Sequence, residues 1–139
     1  MTKDVIISIK GIQLGAEEEP VIMTAMGTYH LTNGKHYIQY DEKIEDSDIS
    51  LKNTLKISTF GVLLTKKGVQ HSQMAFDLNE TTRTVYQTPY GNLSLEVKTK
   101  SIQIKEASEK IEVKLKYSIS DDVSKMSENE LIIAIEART

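Results

Sequence analysis

Four tyrosines, Tyr29, Tyr40, Tyr86 and Tyr117, are the residues of this chain that come nearest to a binding chemistry. A tyrosine brings a large apolar ring and a hydroxyl that needs a partner when buried. Several of them in one enclosure with Met23, Met74 and Phe76 would suit a small apolar or amphipathic molecule with a single polar head. Gln73 and Thr88 join that enclosure if their strands run in the matching phase. Other residue types offer less. The histidines are His30, His36 and His71, with no His-x-His, no helical pair and no cysteine, so no metal-ligand set is readable. Glu17, Glu18 and Glu19 precede Pro20, and a second acidic stretch runs from Asp41 to Asp48. Both read as solvated loops, and the second lacks the glycine hinge of a calcium loop. There is no Gly-x-Ser-x-Gly elbow, no Gly-rich phosphate loop and no HExxH. The expectation is a protein without catalytic residues, metal or cofactor.

Composition sets the outer bounds. The chain has 139 residues and a net charge of −3, from 17 basic and 20 acidic side chains spread evenly over its two halves. Lys98, Lys100, Lys114 and Lys116 form a basic stripe on outward faces, interrupted by Glu96 and Glu112. Tyr117 points inward by phase, so the aromatic platform of a nucleic-acid-binding barrel is missing there. A wall of cross-strand ion pairs is expected instead, with neither nucleic acid nor membrane as partner. The absence of cysteine excludes disulfides and thiolate chemistry. With no signal-type segment and no apolar span near ~20 residues, a cytoplasmic protein is expected. The length predicts one domain over 1–139, able to bury roughly two thirds of its unfolded surface.

The elements that must position the tyrosines are read from a two-residue beat of apolar side chains, the period of a strand with one face buried. Asp4 to Leu14 opens with Val5, Ile7 and Ile9 on one face. Val21 to Leu31 and Lys35 to Lys43 flank Asn33-Gly34, a strong two-residue hairpin signal. That turn sets Thr32 against Lys35, Leu31 against His36, Tyr29 against Ile38 and Gly27 against Tyr40. The core face then holds Met23, Ala25, Gly27, Tyr29, Leu31, Ile38 and Tyr40, with His30 and His36 on opposite faces and at the surface or rim. Lys52 to Thr59 turns Leu55 and Ile57 inward and Lys56 outward. In Gly61 to Asp77, Val62 and Leu64 compete with Leu63, Met74 and Phe76 for the core. Arg83 to Thr88 leads into a tight turn at Thr88-Pro89-Tyr90-Gly91. In Asn92 to Glu106 the inward set changes from Leu93, Leu95 and Val97 to Ile102 and Ile104, which predicts a bulge near Thr99-Lys100-Ser101. Lys110 to Ser120 alternates throughout, Val123 to Asn129 reads as one helical turn, and Leu131 to Ala137 closes the chain.

The predicted fold is all-β: an antiparallel up-and-down barrel of about eight to ten strands, since closure removes the edges of a long meander. Thr54-Leu55-Lys56-Ile57, Met74-Ala75-Phe76 and above all Tyr86-Gln87-Thr88-Pro89-Tyr90-Gly91 resemble the YwiB-like family of small bacterial proteins. So do Gly11, Gln13, the acidic loop, Thr24, Gly27 and Tyr29. The resemblance covers nearly the whole chain. It implies a calycin-like, lipocalin-related β-barrel of unknown function and assigns no catalytic residue. A barrel of this size either packs its interior with side chains or holds one small ligand, and the many apolar residues and few glycines favour packing. The leading functional expectation is a non-enzymatic protein that binds a small ligand in the barrel or at one end. The second is an interaction or regulatory module acting through its outer surface, as a monomer or a homodimer.

Overall fold

The structure, a computed structural model, describes residues 3–15, 19–43, 50–67, 72–88, 91–121 and 126–138, with backbone alone at 43, 72, 86–88 and 92–93. Ten strands form one antiparallel sheet: β1 (Asp4–Gln13), β2 (Val21–Thr32), β3 (Lys35–Lys43), β4 (Ser50–Ser58), β5 (Gly61–Lys67), β6 (Ser72–Asp77), β7 (Thr82–Thr88), β8 (Gly91–Glu106), β9 (Lys110–Asp121) and β10 (Met126–Ala137). Each strand lies beside its neighbours in sequence, and β1 pairs with β10. The meander therefore curls into a nearly closed barrel.

The local signals set the register as expected. Asn33 and Gly34 both take positive φ (52° and 75°), the geometry of a type I′ turn whose twist matches the flanking strands. β2 and β3 then pair Thr32 with Lys35, Tyr29 with Ile38 and Gly27 with Tyr40. Gly91, the last residue of the predicted tight turn, has φ 120° and pairs with Thr88; Pro89 and Tyr90 lie outside the described residues. The phase change in β8 is a bulge between Thr99 and Ser101. One extra residue there moves the inward set from Leu95 and Val97 to Ile102 and Ile104 without breaking the strand.

Inward side chains fill the middle of the barrel. Val5, Ile7, Ile38, Leu55, Ile57, Val62, Phe76, Val97, Ile111, Val113, Leu115, Ile133 and Ile135 are buried in one cluster with Tyr40 and Tyr117. The competition in Gly61 to Asp77 resolves in favour of Val62, Leu64, Met74 and Phe76, because β5 and β6 pair Val62 with Phe76 and Leu64 with Met74.

The ring is not laced by backbone hydrogen bonds all the way round. Among the described residues β6 and β7 share no ladder. Two threonine hydroxyls bridge them: Thr82 Oγ1 donates to the Ala75 carbonyl at 2.5 Å and Thr84 Oγ1 to the Gln73 carbonyl at 3.1 Å. Thr84 is buried, and its hydroxyl satisfies an acceptor that a ladder would otherwise serve.

Three expectations need correction. The helical turn at Val123 to Asn129 is absent from the described part: Met126 to Asn129 belong to β10 and pair with Ser120 to Tyr117. Ladder hydrogen bonds to β9 outweigh a local polar sequence, and residues 123–125 lie outside the described set. Leu31 shares the inward parity yet is 61% exposed, since it stands at the barrel's rim beyond the packed layers. Gln73 is exposed, because Met74 and Phe76 take the inward positions of β6 and leave it on the outer face.

Candidate functional site

The barrel has two ends of different chemistry. The first is where the β2–β3 and β8–β9 hairpins turn. There His36 joins two side chains from separate walls. The Tyr29 hydroxyl lies 2.6 Å from His36 Nδ1, and His36 Nε2 is hydrogen-bonded to Glu106 Oε1. A carboxylate only accepts, so Nε2 carries a proton; in the neutral ring Nδ1 then accepts from the Tyr29 hydroxyl. The two rings lie 5.7 Å apart. Glu106 ends β8 and His36 begins β3, strands on opposite sides of the ring, so the relay spans the mouth.

A Tyr–His–Glu chain has the connectivity of a nucleophile, a base and an orienting acid. The phenol is tuned the other way. Burial first, and then the negative charge of Glu106, push the Tyr29 hydroxyl above its ordinary range. It stays protonated and acts as a donor in a clamp. Glu106 escaped the sequence reading because only tertiary closure brings β8 over β3. The signal for His36 was present in its parity with Ile38 and Tyr40.

The far end carries the β1–β2 and β9–β10 connections. A hollow of about 330 Å³ is lined there by Gln13, Leu95, Ile119, Asp121, Met126 and Ser127. A second, of about 200 Å³, takes in Gly11, Gln13, Glu19, Val21, Tyr117 and Asn129. They meet at Gln13, and most of the lining comes from the inward faces of β1, β8, β9 and β10. Leu95 and Ile119 supply apolar wall; Gln13, Ser127, Asn129 and Tyr117 supply amide and hydroxyl groups. Below them Tyr117 meets Phe76 edge-on, with centroids 4.8 Å apart. Thr99, opposite Tyr117 in the β8–β9 register, is buried with no partner for Oγ1, and Asn53, opposite Tyr40, is buried with none for Oδ1. Native interiors pair almost all such atoms with protein, water or ligand. The upper interior is thus more polar than the packed middle.

Three of the four predicted tyrosines are described with their side chains. Tyr40 and Tyr117 lie in the core cluster, Tyr29 packs against it but turns its hydroxyl to His36, and the Tyr86 side chain lies outside the described residues, as do Thr88's side chain and His71. Glu17 and Glu18 also lie outside, with most of the stretch from Asp41 to Asp48. His30 is exposed on the outer face and shares nothing with His36. Lys56 points outward over the Tyr37 ring. The basic stripe is a solvated wall: Lys100 pairs with Glu128 and Lys114 with Glu130, while Glu96 binds Arg83 and Glu112 binds Lys110. Surface pairs of this kind add little to stability. Among the described residues no group of three or more His, Cys, Asp or Glu could hold a metal ion, and no helix is long and apolar enough to cross a membrane.

Tyr40 gives the interior a measurable pH signature. Burial, and secondly the Glu42 carboxylate, hold its phenol well above the ordinary value of 10.0. The folded state therefore keeps a proton that the unfolded chain loses from about pH 10. Stability should be level below that pH and fall as pH rises above it, by up to about 1.4 kcal/mol per pH unit. Urea titrations across this range should show the fall in the native chain and a shallower one in Tyr40→Phe. Equal slopes would place the Tyr40 hydroxyl in water.

These features define a small all-β protein: an up-and-down ten-stranded barrel with a packed middle, a clamped end and a partly polar far end. The chain belongs to the DUF1934 family, described as a domain of unknown function, whose family model matches residues 7–133. Its fold is similar to that in the crystal structure of the YwiB protein from Bacillus subtilis, with a TM-score of 0.79 and 23% sequence identity over 99% of this chain and 93% of that one. No functionally curated protein matches the chain.

Proposed function

We propose that the protein is a non-enzymatic binding protein that takes a small amphipathic molecule at the far end of the barrel. The carrying observation is the pair of hollows meeting at Gln13, where apolar wall and hydroxyl or amide groups converge above a filled interior. In this reading the ligand sits at one end, in the manner of a calycin-like cup whose lower half is solid. Burial of its apolar part against Leu95 and Ile119 stabilises the complex by ~25 cal/mol per Å², and hydroxyl or amide groups orient its head. Glu19 and Asp121 also line the hollows. Two carboxylates disfavour an anionic head, so the preferred ligand has an alcohol or amine head rather than a carboxylate. The raised Tyr29 hydroxyl supports the non-enzymatic reading, because an acid–base relay needs its nucleophile activated.

The test is a titration of isotope-labelled protein with 1-octanol, octylamine and octanoate. Saturable shifts at Gln13, Leu95, Tyr117 and Ile119 with the first two, and weaker binding of octanoate, are expected. Absence of shifts at that end, together with a bare-chain mass for protein isolated from its own host, would rule the reading out. A second reading, an outer interaction face used as a monomer or homodimer, is favoured by Ile22 and Met26. Both are more than 60% exposed on the outer face of β2, and Ile6 faces Met26 from β1. A persistent dimer mass would move the assignment there.

A further inference from the structure

Another hollow, of about 500 Å³, lies where β2 and β3 part. Their ladder ends at Gly27 and Tyr40. Beyond it, Met26 pairs only with β1 and Asp41 only with β4, so each strand presents one unladdered backbone edge at the fork. Gly27 is required at this point: a Cβ there would stand 2.6 Å from the Gln39 carbonyl oxygen and 3.2 Å from Tyr40 Cβ.

The outward side chains of four strands surround the fork. Thr28, Gln39 and Thr54 form one row across β2, β3 and β4, and Asp41, Lys52 and Lys67 form the next across β3, β4 and β5. Lys52 stands directly opposite Lys67 on one side and Asp41 on the other. Cβ atoms of facing residues are about 4.5–5.5 Å apart, and like charges so placed repel. Elsewhere on the barrel Lys66, Lys100, Lys110 and Lys114 are matched by glutamates. Among the described residues neither Lys52 nor Lys67 has an ion-pair partner, and Asp41 has none.

We propose that this fork binds a small phosphorylated polyol, its phosphate held between Lys52 and Lys67 and its hydroxyls by Thr28, Gln39, Asp41 and Thr54. Two adjacent ammonium groups match one doubly charged oxyanion and relieve their own repulsion in binding it. Asp41 accepts hydrogen bonds only, so the uncharged part of the ligand must donate, as hydroxyls do. Threonine hydroxyls and the Gln39 amide both donate and accept, which suits a polyol. The hollow lies within the usual volume range of small-molecule sites. The site is separate from the far-end hollows and does not depend on them.

Glucose 6-phosphate, inorganic phosphate and glucose serve as probes in titrations of isotope-labelled full-length protein. Saturable shifts at Thr28, Gln39, Thr54 and the two lysines are expected with glucose 6-phosphate, weaker ones with phosphate, and none with glucose at equal concentration. K52A/K67A should weaken glucose 6-phosphate binding about tenfold or more, whereas K98A/K116A, on the opposite wall, should leave it unchanged. Both pairs are exposed, and an unchanged thermal transition shows that the variants remain folded. No saturable shift at the fork, equal affinity for phosphate and glucose 6-phosphate, or equal weakening by the two lysine pairs would overturn the proposal.

Discussion

Replacing Phe76 by alanine should destabilise the barrel by about 3–5 kcal/mol, the largest effect expected of any single change considered. Phe76 is among the largest fully buried side chains, at 1% exposure, and its ring meets Tyr117 edge-on. It stands on β6, which faces β7 across the seam held by Thr82 and Thr84. The strands that carry its other neighbours, β5 with Val62 and β9 with Tyr117, are bound into ladders, which limits how far they close over the lost ring. The loss therefore combines the transfer term with nearly the whole cavity term. Urea unfolding should report it as a lower midpoint at unchanged slope. Val85→Ala is the matched control: Val85 is half exposed, and its truncation should cost less than about 0.5 kcal/mol. A cost below about 1 kcal/mol for Phe76→Ala would mean that the interior is loosely filled, and a ligand chamber in the middle of the barrel would then return as the better reading.

The second large effect belongs to the relay. His36→Ala should cost about 1–3 kcal/mol, because it removes a charge-assisted hydrogen bond to Glu106 and leaves the half-buried Tyr29 hydroxyl without its acceptor. The damage should be local. Amide exchange should speed up near Asn33-Gly34 and the β8–β9 turn, while β9 and β10 at mid-barrel keep their protection. A double-mutant cycle with Glu106→Ala measures the part that needs both residues. Additive losses would show that the two side chains do not act together. Sub-additive losses would establish the clamp.

Much of this was legible in advance, and the reason is local. A strand's two faces alternate with a period fixed by the backbone, so Val5, Ile7, Ile38, Leu55, Val113 and Leu115 announced themselves as core. The register of β2 against β3 follows from Asn33-Gly34, because only residues tolerating positive φ close a two-residue turn of that twist. The bulge at Thr99-Lys100-Ser101 was readable because a phase change leaves no other way to keep one face buried. Where two residues of opposite parity were both apolar, as in Val62 and Leu63, the local signal was silent, and pairing with Phe76 decided the matter. The helical turn expected at Val123 to Asn129, of which Met126 to Asn129 are strand, came from the same limit: a polar stretch has no beat, and β9 sets the conformation of Met126 to Asn129.

The chain by itself determined strands, turns, faces and the family it belongs to, since each depends on neighbours a few residues away. Tertiary structure alone decided which distant walls touch. Glu106 reaches His36 from 70 residues away, Gln13 meets Asn129 and Tyr117 at the far end, and Lys52 and Lys67 stand side by side beyond the end of the β2–β3 ladder. Those contacts depend on the curl of a ten-stranded sheet onto itself, a property of the accumulated twist of all the strands and of no single segment.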